Sequence, residues 1–241
     1  HDLRDAIAQA PIDPALLRQV SALVRRFPRT GRVIFRSSTN AEDLAGFNGA
    51  GLYESLVVAP APTDAQIADA IRGVWASVFT LRGVDERDWY RIDEAHVAMA
   101  ILVMPFVEHS IGNGVAITKN PFNEGRPAVF INVQTHGGSV TGAGDAVPEQ
   151  HLVYTYGEAL EDEVVSRSSL TNGAPILPED DVTRLTQQLE ALHARLVPTY
   201  GQSANAVDVE FLIDEHHDVI VVQARPYKVT YTEGQRWILL Y

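Results

Sequence analysis

The stretch Ala206–Pro226, AVDVEFLIDEHHDVIVVQARP, decides the fold of this chain. Two apolar runs rich in β-branched residues, 206–213 and 218–223, flank the polar sequence DEHHD, which predicts an antiparallel hairpin with a short tip. Because side chains alternate between the two faces of a strand, polar residues two positions apart share a face. The pattern therefore predicts acidic, amide and guanidinium groups at one end of a ribbon, carried by Asp208, Glu210, Gln223 and Arg225.

Two interpretations of this hairpin stay open from the residues alone. Carboxylate and amide oxygens are ligands that suit Mg²⁺, and an arginine beside them would neutralise charge on a transferring phosphoryl group. The alternative is a cross-strand salt bridge on a solvated sheet face. We interpret His216-His217 as part of a solvated hairpin tip rather than as a metal site.

The composition is that of an ordinary globular chain: 241 residues, 46% apolar and 21% charged. Lys and Arg total 19 against 31 Asp and Glu, and the formal net charge of −12 disfavours a general nucleic-acid binder. No apolar run is long enough to span a bilayer. The absence of cysteine excludes a disulfide scaffold, a zinc ribbon and a thiol nucleophile. Because the sequence opens on His1 without a signal segment, we interpret it as a fragment of a longer chain.

The remaining periodicities predict a mixture of helices and strands. Helices are expected at 2–10, 63–81, 85–93 and from Leu177, where Val182, Leu185, Leu189, Leu192 and Leu196 recur at steps of three and four. Further strands are expected at 32–36, 53–58, 96–104, 114–119, 127–134 and 151–156. Since helices and strands do not alternate strictly, we expect an α+β fold rather than a doubly wound parallel sheet.

A second segment suits a phosphate ligand. Arg36-Ser37-Ser38 ends a predicted strand, and the loop after it carries Glu42-Asp43 and Gly49-Ala50-Gly51. Arginine offers a planar fork for phosphate oxygens, and glycines allow backbone N–H groups to approach a ligand closely. The alternative is a polar loop whose arginine pairs with one of the two acidic residues. The glycines within Gln134–Pro148 pose the same choice between a phosphate-facing turn and a plain loop.

Taken in order, these segments resemble the nucleotide-binding domain of the phosphoenolpyruvate-utilising dikinases, which include phosphoenolpyruvate synthase, pyruvate phosphate dikinase, rifampicin phosphotransferase and the glucan water dikinases. Gly-Ala-Gly-Leu-Tyr at 49–53 is especially similar to the glucan water dikinase branch. The resemblance rests on Arg36-Ser37-Ser38 with Glu42-Asp43, Phe47–Ser55, Trp75–Phe79 with Arg82, Met99–Val107, Gly114-Val115 with Thr118 and Asn120-Pro121, and Asp208–Glu210 with Gln223–Pro226.

The resemblance implies an ATP-grasp-like fold, with two subdomains around a nucleotide cleft. It also implies Mg²⁺ and transfer of a phosphoryl group from ATP to a histidine on a separate swivelling domain. By this resemblance Arg36 and Arg225 act on the phosphates, and Glu210 and Gln223 ligate Mg²⁺. We expect neither nucleic acid nor membrane as a partner, and a cytoplasmic location. Further ATP contacts are implied for Gly49, Ala50, Gly51, Arg82, Leu102, Met104, Phe106 and Thr118.

Three departures from the family pattern support a second hypothesis. Gly137 stands where the family has a glutamate, Met104 stands where a glutamine is usual in the adenine strand, and no Gly-Gly-Lys segment precedes Arg36. Nor does any segment match the acceptor-histidine motif of the swivelling domain. The second hypothesis is a degenerate ATP-grasp module that binds a ligand or protein partner without catalysis.

For the organisation of the chain, we expect an N-terminal helical segment at 1–30, a nucleotide-binding domain at 31–228 and a C-terminal extension at 229–241. The spatial expectation behind the first hypothesis is that Arg36 and Arg225 converge on a shared anion, beside the cation ligands Glu210 and Gln223.

Overall fold

The computed structural model describes residues 2–44, 47–48, 51–135, 146–157 and 159–232. Predictions made for Gly49, Ala50, Gly137 and the extension after residue 232 lie outside these described residues. The α+β prediction is confirmed, since helices and antiparallel sheets are mixed along the chain. The chain divides into two compact units, His1–Glu108 and His109–Tyr241, which we call unit 1 and unit 2.

Unit 1 is a three-stranded antiparallel sheet backed by helices. Its strand order is β4-β1-β5, and a separate two-stranded ribbon pairs β2 with β3. The core packs Phe35 of the central strand against Ile67, Ile71 and Val74 of the longest helix. The elements of unit 1 are α1 (Asp2–Gln9), α2 (Pro14–Val24), β1 (Val33–Thr39), β2 (Asp43–Leu44), β3 (Phe47–Asn48), β4 (Leu56–Val58), α3 (Asp64–Ala76), α4 (Leu81–Trp89) and β5 (Met99–Pro105).

Side-chain caps set the helix boundaries in unit 1. Thr63 and Gln66 form a reciprocal capping box at the start of α3. The prediction of one helix from 63 to 81 is wrong at its end, because a 3₁₀ turn at Ser77–Phe79 follows α3 and Thr80 then caps a new helix by accepting from the Gly83 N–H. The helix predicted at 85–93 accordingly starts and ends earlier, as α4.

Unit 2 is a six-stranded antiparallel sheet with one long helix, α5, packed on one face. The strand order is β11-β10-β6-β7-β8-β9. Leu185 and Leu189 of the helix are fully buried against Ile131, Val209 and Phe211 of the sheet. The elements are β6 (Gly112–Ile117), β7 (Ala128–Thr135), β8 (Glu149–Tyr156), β9 (Ala159–Ser166), α5 (Glu179–Leu196), β10 (Ala206–Ile213) and β11 (Val219–Tyr227).

Strand β9 was not predicted. Its sequence, ALEDEVVS, carries three consecutive acidic residues and no regular apolar alternation, because its outer edge is unpaired and most of its side chains are exposed. It is held instead by its long pairing with β8, from Gln150↔Ser166 to Tyr156↔Ala159. Within the described residues, no helix is both long and apolar enough to cross a membrane.

Candidate functional site

The β10–β11 hairpin brings the predicted polar residues together. Its register places Asp208 opposite Arg225 and Glu210 opposite Gln223, and a bulge follows Glu210. Directly opposite residues share a face of the sheet. The neighbouring odd-numbered residues of β10, among them Val209, pack into the core beneath α5. The four polar side chains therefore lie on the side of the sheet away from α5, which we call the far face.

Asp208 and Arg225 form a cross-strand ion pair. The Arg225 Nε donates to Asp208 Oδ2 over 2.8 Å, and the two side chains are only 20% and 10% exposed. The cross-strand salt bridge of the alternative interpretation is therefore formed, but its two side chains are mostly buried rather than solvated. The second carboxylate oxygen, Asp208 Oδ1, is buried without a hydrogen-bond partner among the described residues. Such an oxygen is costly to bury unless a donor or a cation reaches it.

A row of amide side chains extends the far face beyond the hairpin. Glu210 lies opposite Val115 of β6, Val115 lies opposite Asn132 of β7, and Asn132 lies opposite Gln150 of β8. Gln150 Nε2 donates to Asn132 Oδ1 over 2.7 Å. These amides are not among the residues predicted from the sequence to form the site. Their signal is the interruption of an apolar run, since Asn132 separates buried Ile131 and Val133.

In unit 1 the predicted phosphate arginine shares a sheet face with two predicted adenine-lining residues. Arg36 of β1 lies opposite Leu102 of β5, and Ile34 lies opposite Met104. The opposite side of the same sheet carries Phe35, which is fully buried under the helices. Leu102 is 53% exposed. A basic group and exposed apolar surface are therefore adjacent on one sheet.

The other predicted ligand residues are placed differently. The Arg32 guanidinium stacks on the Phe106 ring, with its carbon 4.4 Å from the centre of the ring. Arg82 is exposed on α4. The Thr118 hydroxyl is buried on the α5 side of the sheet, where it accepts from the Val207 N–H over 2.8 Å and lies 2.8 Å from His193 Nδ1. The structure thus does not place Thr118 on the far face with Glu210.

Arg87 was missed by the sequence analysis. Its side chain is fully buried in unit 1. The guanidinium donates to the Val78 carbonyl oxygen over 2.8 Å and makes two bonds, of 2.7 and 2.9 Å, with Glu94. The Tyr53 hydroxyl lies 3.3 Å from Nη1. These contacts tie α4 to its surroundings, and no local pattern distinguishes Arg87 from the exposed arginines near it.

A buried charge cluster on the α5 side of unit 2 was also missed. The Glu149 carboxylate accepts from the Ile176 and Leu177 backbone N–H groups, from Arg167 and from His151. Burial alone would raise the pKa of Glu149. The four donors lower it by more than burial raises it, and the pKa falls from 4.5 to about 2. Burial lowers the pKa of His151, yet its bonds to Asp162 and Glu149 outweigh that effect and leave the pKa raised.

The hairpin tip is held by contacts with its own backbone and with α5. Among the described residues, no group of three or more His, Asp or Glu side chains is arranged to hold a metal ion. His217 Nδ1 instead lies 3.1 Å from Asp181 Oδ2 at the start of α5, and Asp214 accepts from the backbone of the tip.

Comparison with known proteins shows the family to which the chain belongs. Residues 1–238 match the family model described as pyruvate phosphate dikinase, AMP/ATP-binding domain. The chain belongs to this family. It is therefore an ATP-binding domain of the kind found in phosphotransferases of the phosphoenolpyruvate synthase and dikinase type.

Relatives in this family are longer than the chain. A phosphoenolpyruvate synthase from Aeropyrum pernix is 24% identical over 94% of this chain and 33% of its own length. A rifampicin phosphotransferase from Streptomyces sviceus is 28% identical over 85% of this chain and 24% of its own length. The pyruvate phosphate dikinase ATP-binding domain described here thus spans about a third or less of these relatives.

Proposed function

We propose that this domain binds Mg-ATP and delivers a phosphoryl group from it to a histidine on a separate domain of the full-length protein. The observation that carries the proposal is the β10–β11 register, which sets Asp208 against Arg225 and Glu210 against Gln223 on the far face. The family match supports ATP as the nucleotide. The greater length of the relatives supports an acceptor outside this chain.

Arg225 is the proposed phosphate ligand of unit 2. Its Nε is held by Asp208, which fixes the orientation of the guanidinium fork on the far face. A planar guanidinium matches two phosphate oxygens at once. As a P–O bond of ATP breaks and a P–N bond to the acceptor histidine forms, the leaving oxygen gains negative charge. A positioned arginine stabilises that charge.

The far face also fits a magnesium ion. Glu210 supplies a carboxylate, Gln223 an amide oxygen, and Asp208 Oδ1 a buried oxygen without a hydrogen bond among the described residues. These are hard oxygen donors of the kind that Mg²⁺ takes together with substrate phosphates. When bound, the ion supplies neutralisation of phosphate charge, and Glu210 and Gln223 are the residues that would hold it.

Unit 1 supplies the proposed second set of contacts. Arg36 would bind phosphate, while exposed Leu102 and half-buried Met104 on the same sheet face would pack against the adenine ring. An apolar surface beside one charged group is the usual composition of a small-molecule site. The convergence of Arg36 with Arg225 on one anion remains a prediction of this proposal.

Calorimetric titration of Mg-ATP into the chain tests the proposal. Arg225→Lys keeps the charge but loses the planar fork, so we expect at least tenfold weaker binding. The matched control is Arg195→Lys, at an exposed arginine of α5. Glu210→Gln should reduce the gain in affinity that Mg²⁺ gives over ATP alone. Equal affinities for wild type, R225K and R195K would refute the assigned role of the far face.

A binding module without catalysis is the second candidate. The observation in its favour is Met104, which lies opposite Ile34 in the β1–β5 register. By the resemblance, a glutamine is usual at this position, and the methionine thioether cannot replace the hydrogen bonds of its amide. The two candidates separate in the full-length protein. Phosphohistidine formed from labelled ATP, and lost in R225K, supports transfer, whereas ATP binding without phosphohistidine supports the module.

A further inference from the structure

Tyr53 joins the two ends of residues 42–52 of unit 1, which carry the glycines predicted to contact phosphate and which we call the glycine segment. The Tyr53 hydroxyl donates to the Ala41 carbonyl oxygen over 2.9 Å. Ala41 is buried just before the segment, and Tyr53 lies just after it. One side chain therefore fixes the separation between the two ends of the glycine segment.

The Tyr53 hydroxyl is also bound to the interior of unit 1. Arg87 Nη1 donates to it over 3.3 Å, so the hydroxyl donates one hydrogen bond and accepts another. The Arg87 side chain is fully buried, and its Nε and Nη2 groups donate to the Glu94 carboxylate and the Val78 carbonyl oxygen. Because these bonds fix the guanidinium, the guanidinium in turn fixes the position of the Tyr53 hydroxyl.

The end of the glycine segment is anchored at two further points. The Leu52 side chain is buried. The Ser55 hydroxyl accepts from the Ser37 backbone N–H over 3.3 Å, and Ser37 follows Arg36 in β1. Gly51 has a φ of +76°, a left-handed conformation that glycine adopts without strain. The contacts therefore tie the end of the segment to the strand that carries the predicted phosphate arginine.

We propose that Tyr53 and Arg87 are positioning residues for ATP, which hold the glycine segment in the conformation that binds the phosphate groups. This inference rests on the proposed function, because the phosphate contacts of Gly51 belong to that proposal. A segment with a free end loses conformational entropy when a ligand binds, whereas an anchored segment has lost it already on folding. Anchoring by Tyr53 therefore strengthens ATP binding, although neither side chain touches the nucleotide.

The anchor can be removed without opening the core of unit 1. Among the described residues, three of the four hydrogen bonds of Arg87 go to Val78 and Glu94, and these bonds do not involve Tyr53. Tyr53→Phe keeps the aromatic ring and deletes only the hydroxyl, with its bonds to Ala41 and Arg87. This substitution therefore releases the glycine segment while the buried arginine keeps its carboxylate partner.

Amide exchange without nucleotide tests the anchor itself. In Y53F we expect faster exchange in peptides that cover 41–55, and unchanged exchange in α3 and in the strands of unit 2. The matched control is Thr63→Ala, because the Thr63 hydroxyl caps α3 and bonds to Gln66 rather than to the glycine segment. T63A should speed exchange at the start of α3 and leave 41–55 at the wild-type rate. Wild-type exchange over 41–55 in Y53F would overturn the anchor.

Calorimetric titration of Mg-ATP tests the positioning role. Y53F should bind about fivefold more weakly than wild type, the factor that one net hydrogen bond gives, and T63A should keep the wild-type affinity. Wild-type affinity in Y53F would overturn the positioning role alone. Equal losses in Y53F and T63A would also overturn it, because a general loss of stability would then explain both. Failure of the wild type to bind Mg-ATP would instead overturn the proposed function, and this inference with it.

A double-mutant cycle tests whether Arg87 acts through Tyr53. Arg87→Met should weaken Mg-ATP binding at least as much as Y53F does, and adding Y53F to R87M should weaken it no further, since the two residues share one contact. Additive losses would overturn the assigned coupling between the two residues. Should R87M fail to fold, Y53F with its T63A control decides the proposal.

Discussion

Replacing Glu149 by glutamine tests the buried charge cluster of unit 2. The carboxylate has no solvent exposure and accepts from Arg167, His151 and the N–H groups of Ile176 and Leu177. In Glu149→Gln the amide oxygen can still accept from the backbone N–H groups. The amide NH₂ group cannot accept from the other donors, and the negative charge is lost. Arg167 and His151 then keep their positive charge without their buried partner.

The size of the effect follows from the pKa of Glu149. Lowering that pKa from 4.5 to about 2 corresponds to roughly 3 kcal/mol of free energy of unfolding, since one pKa unit is about 1.4 kcal/mol. Truncating one partner of a buried ion pair costs about 3 to 5 kcal/mol. Because Arg167 is 37% exposed, water offsets part of its loss, and we expect about 3 kcal/mol.

The pH dependence has a definite sign. The folded-state pKa of Glu149 is depressed, so its contribution is present above about pH 4.5 and is lost as the pH falls toward 2. The folded-state pKa of His151 is raised, so its contribution is present below about 6.5 and is lost as the pH rises through the raised value. The cluster therefore stabilises the fold most between about pH 4.5 and 6.5.

Urea unfolding at pH 3, 5.5 and 8 measures the effect. E149Q should be about 3 kcal/mol less stable than wild type at pH 5.5, and the difference should shrink at pH 3, because the Glu149 carboxyl of the unfolded wild-type chain is protonated there while the folded one stays mostly ionised. Glu161→Gln, at an exposed glutamate of the neighbouring strand β9, is the matched control and should change stability by less than about 0.5 kcal/mol. A loss below about 1 kcal/mol at pH 5.5, or a constant difference across the three pH values, would refute this reasoning.

Three further substitutions test the packing of each unit by urea unfolding or amide exchange. Gly114→Ala would place a Cβ 2.0 Å from the Phe211 ring, so we expect a loss of about 1 to 3 kcal/mol in unit 2, and an unchanged midpoint would contradict that packing. Leu185→Ala, at a fully buried position of α5, should cost about 2 to 5 kcal/mol, and a loss under 1 kcal/mol would show that α5 does not form the core. Arg87→Met removes the bond to the Val78 carbonyl, so faster amide exchange is expected in unit 1 but not in unit 2, and uniform exchange would argue against the contact.

The hairpin was predictable because its signals are local. Residues 206–213 match β10 as predicted, and the five-residue tip fixes the register that sets Glu210 against Gln223. Asp214 supports the tip by accepting from the backbone N–H groups of His216 and Asp218. Strand alternation and loop length together determine which side chains share a face, and both can be counted in the sequence.

The helix and strand predictions were wrong where a boundary or a strand depends on one specific contact that leaves no periodic pattern in the sequence. The boundary between α3 and α4 depends on one Thr80 side chain, and strand β9 depends on pairing with β8 rather than on its own pattern. Apolar periodicity indicates that a helix or strand exists, but it locates ends poorly when apolar residues continue across a break, as they do through 74–81.

The sequence by itself determined the kinds of chemistry available: arginines, oxygen ligands and glycine-rich loops in the family order, and the hairpin that joins four of these residues. Only the tertiary structure decided that Arg36 lies opposite Leu102, 66 positions later, and that Glu149 meets Arg167 and the backbone of Leu177, just before α5. The physical reason is that periodicity records which side of an element is buried. The partner across the sheet is set by the packing of distant elements.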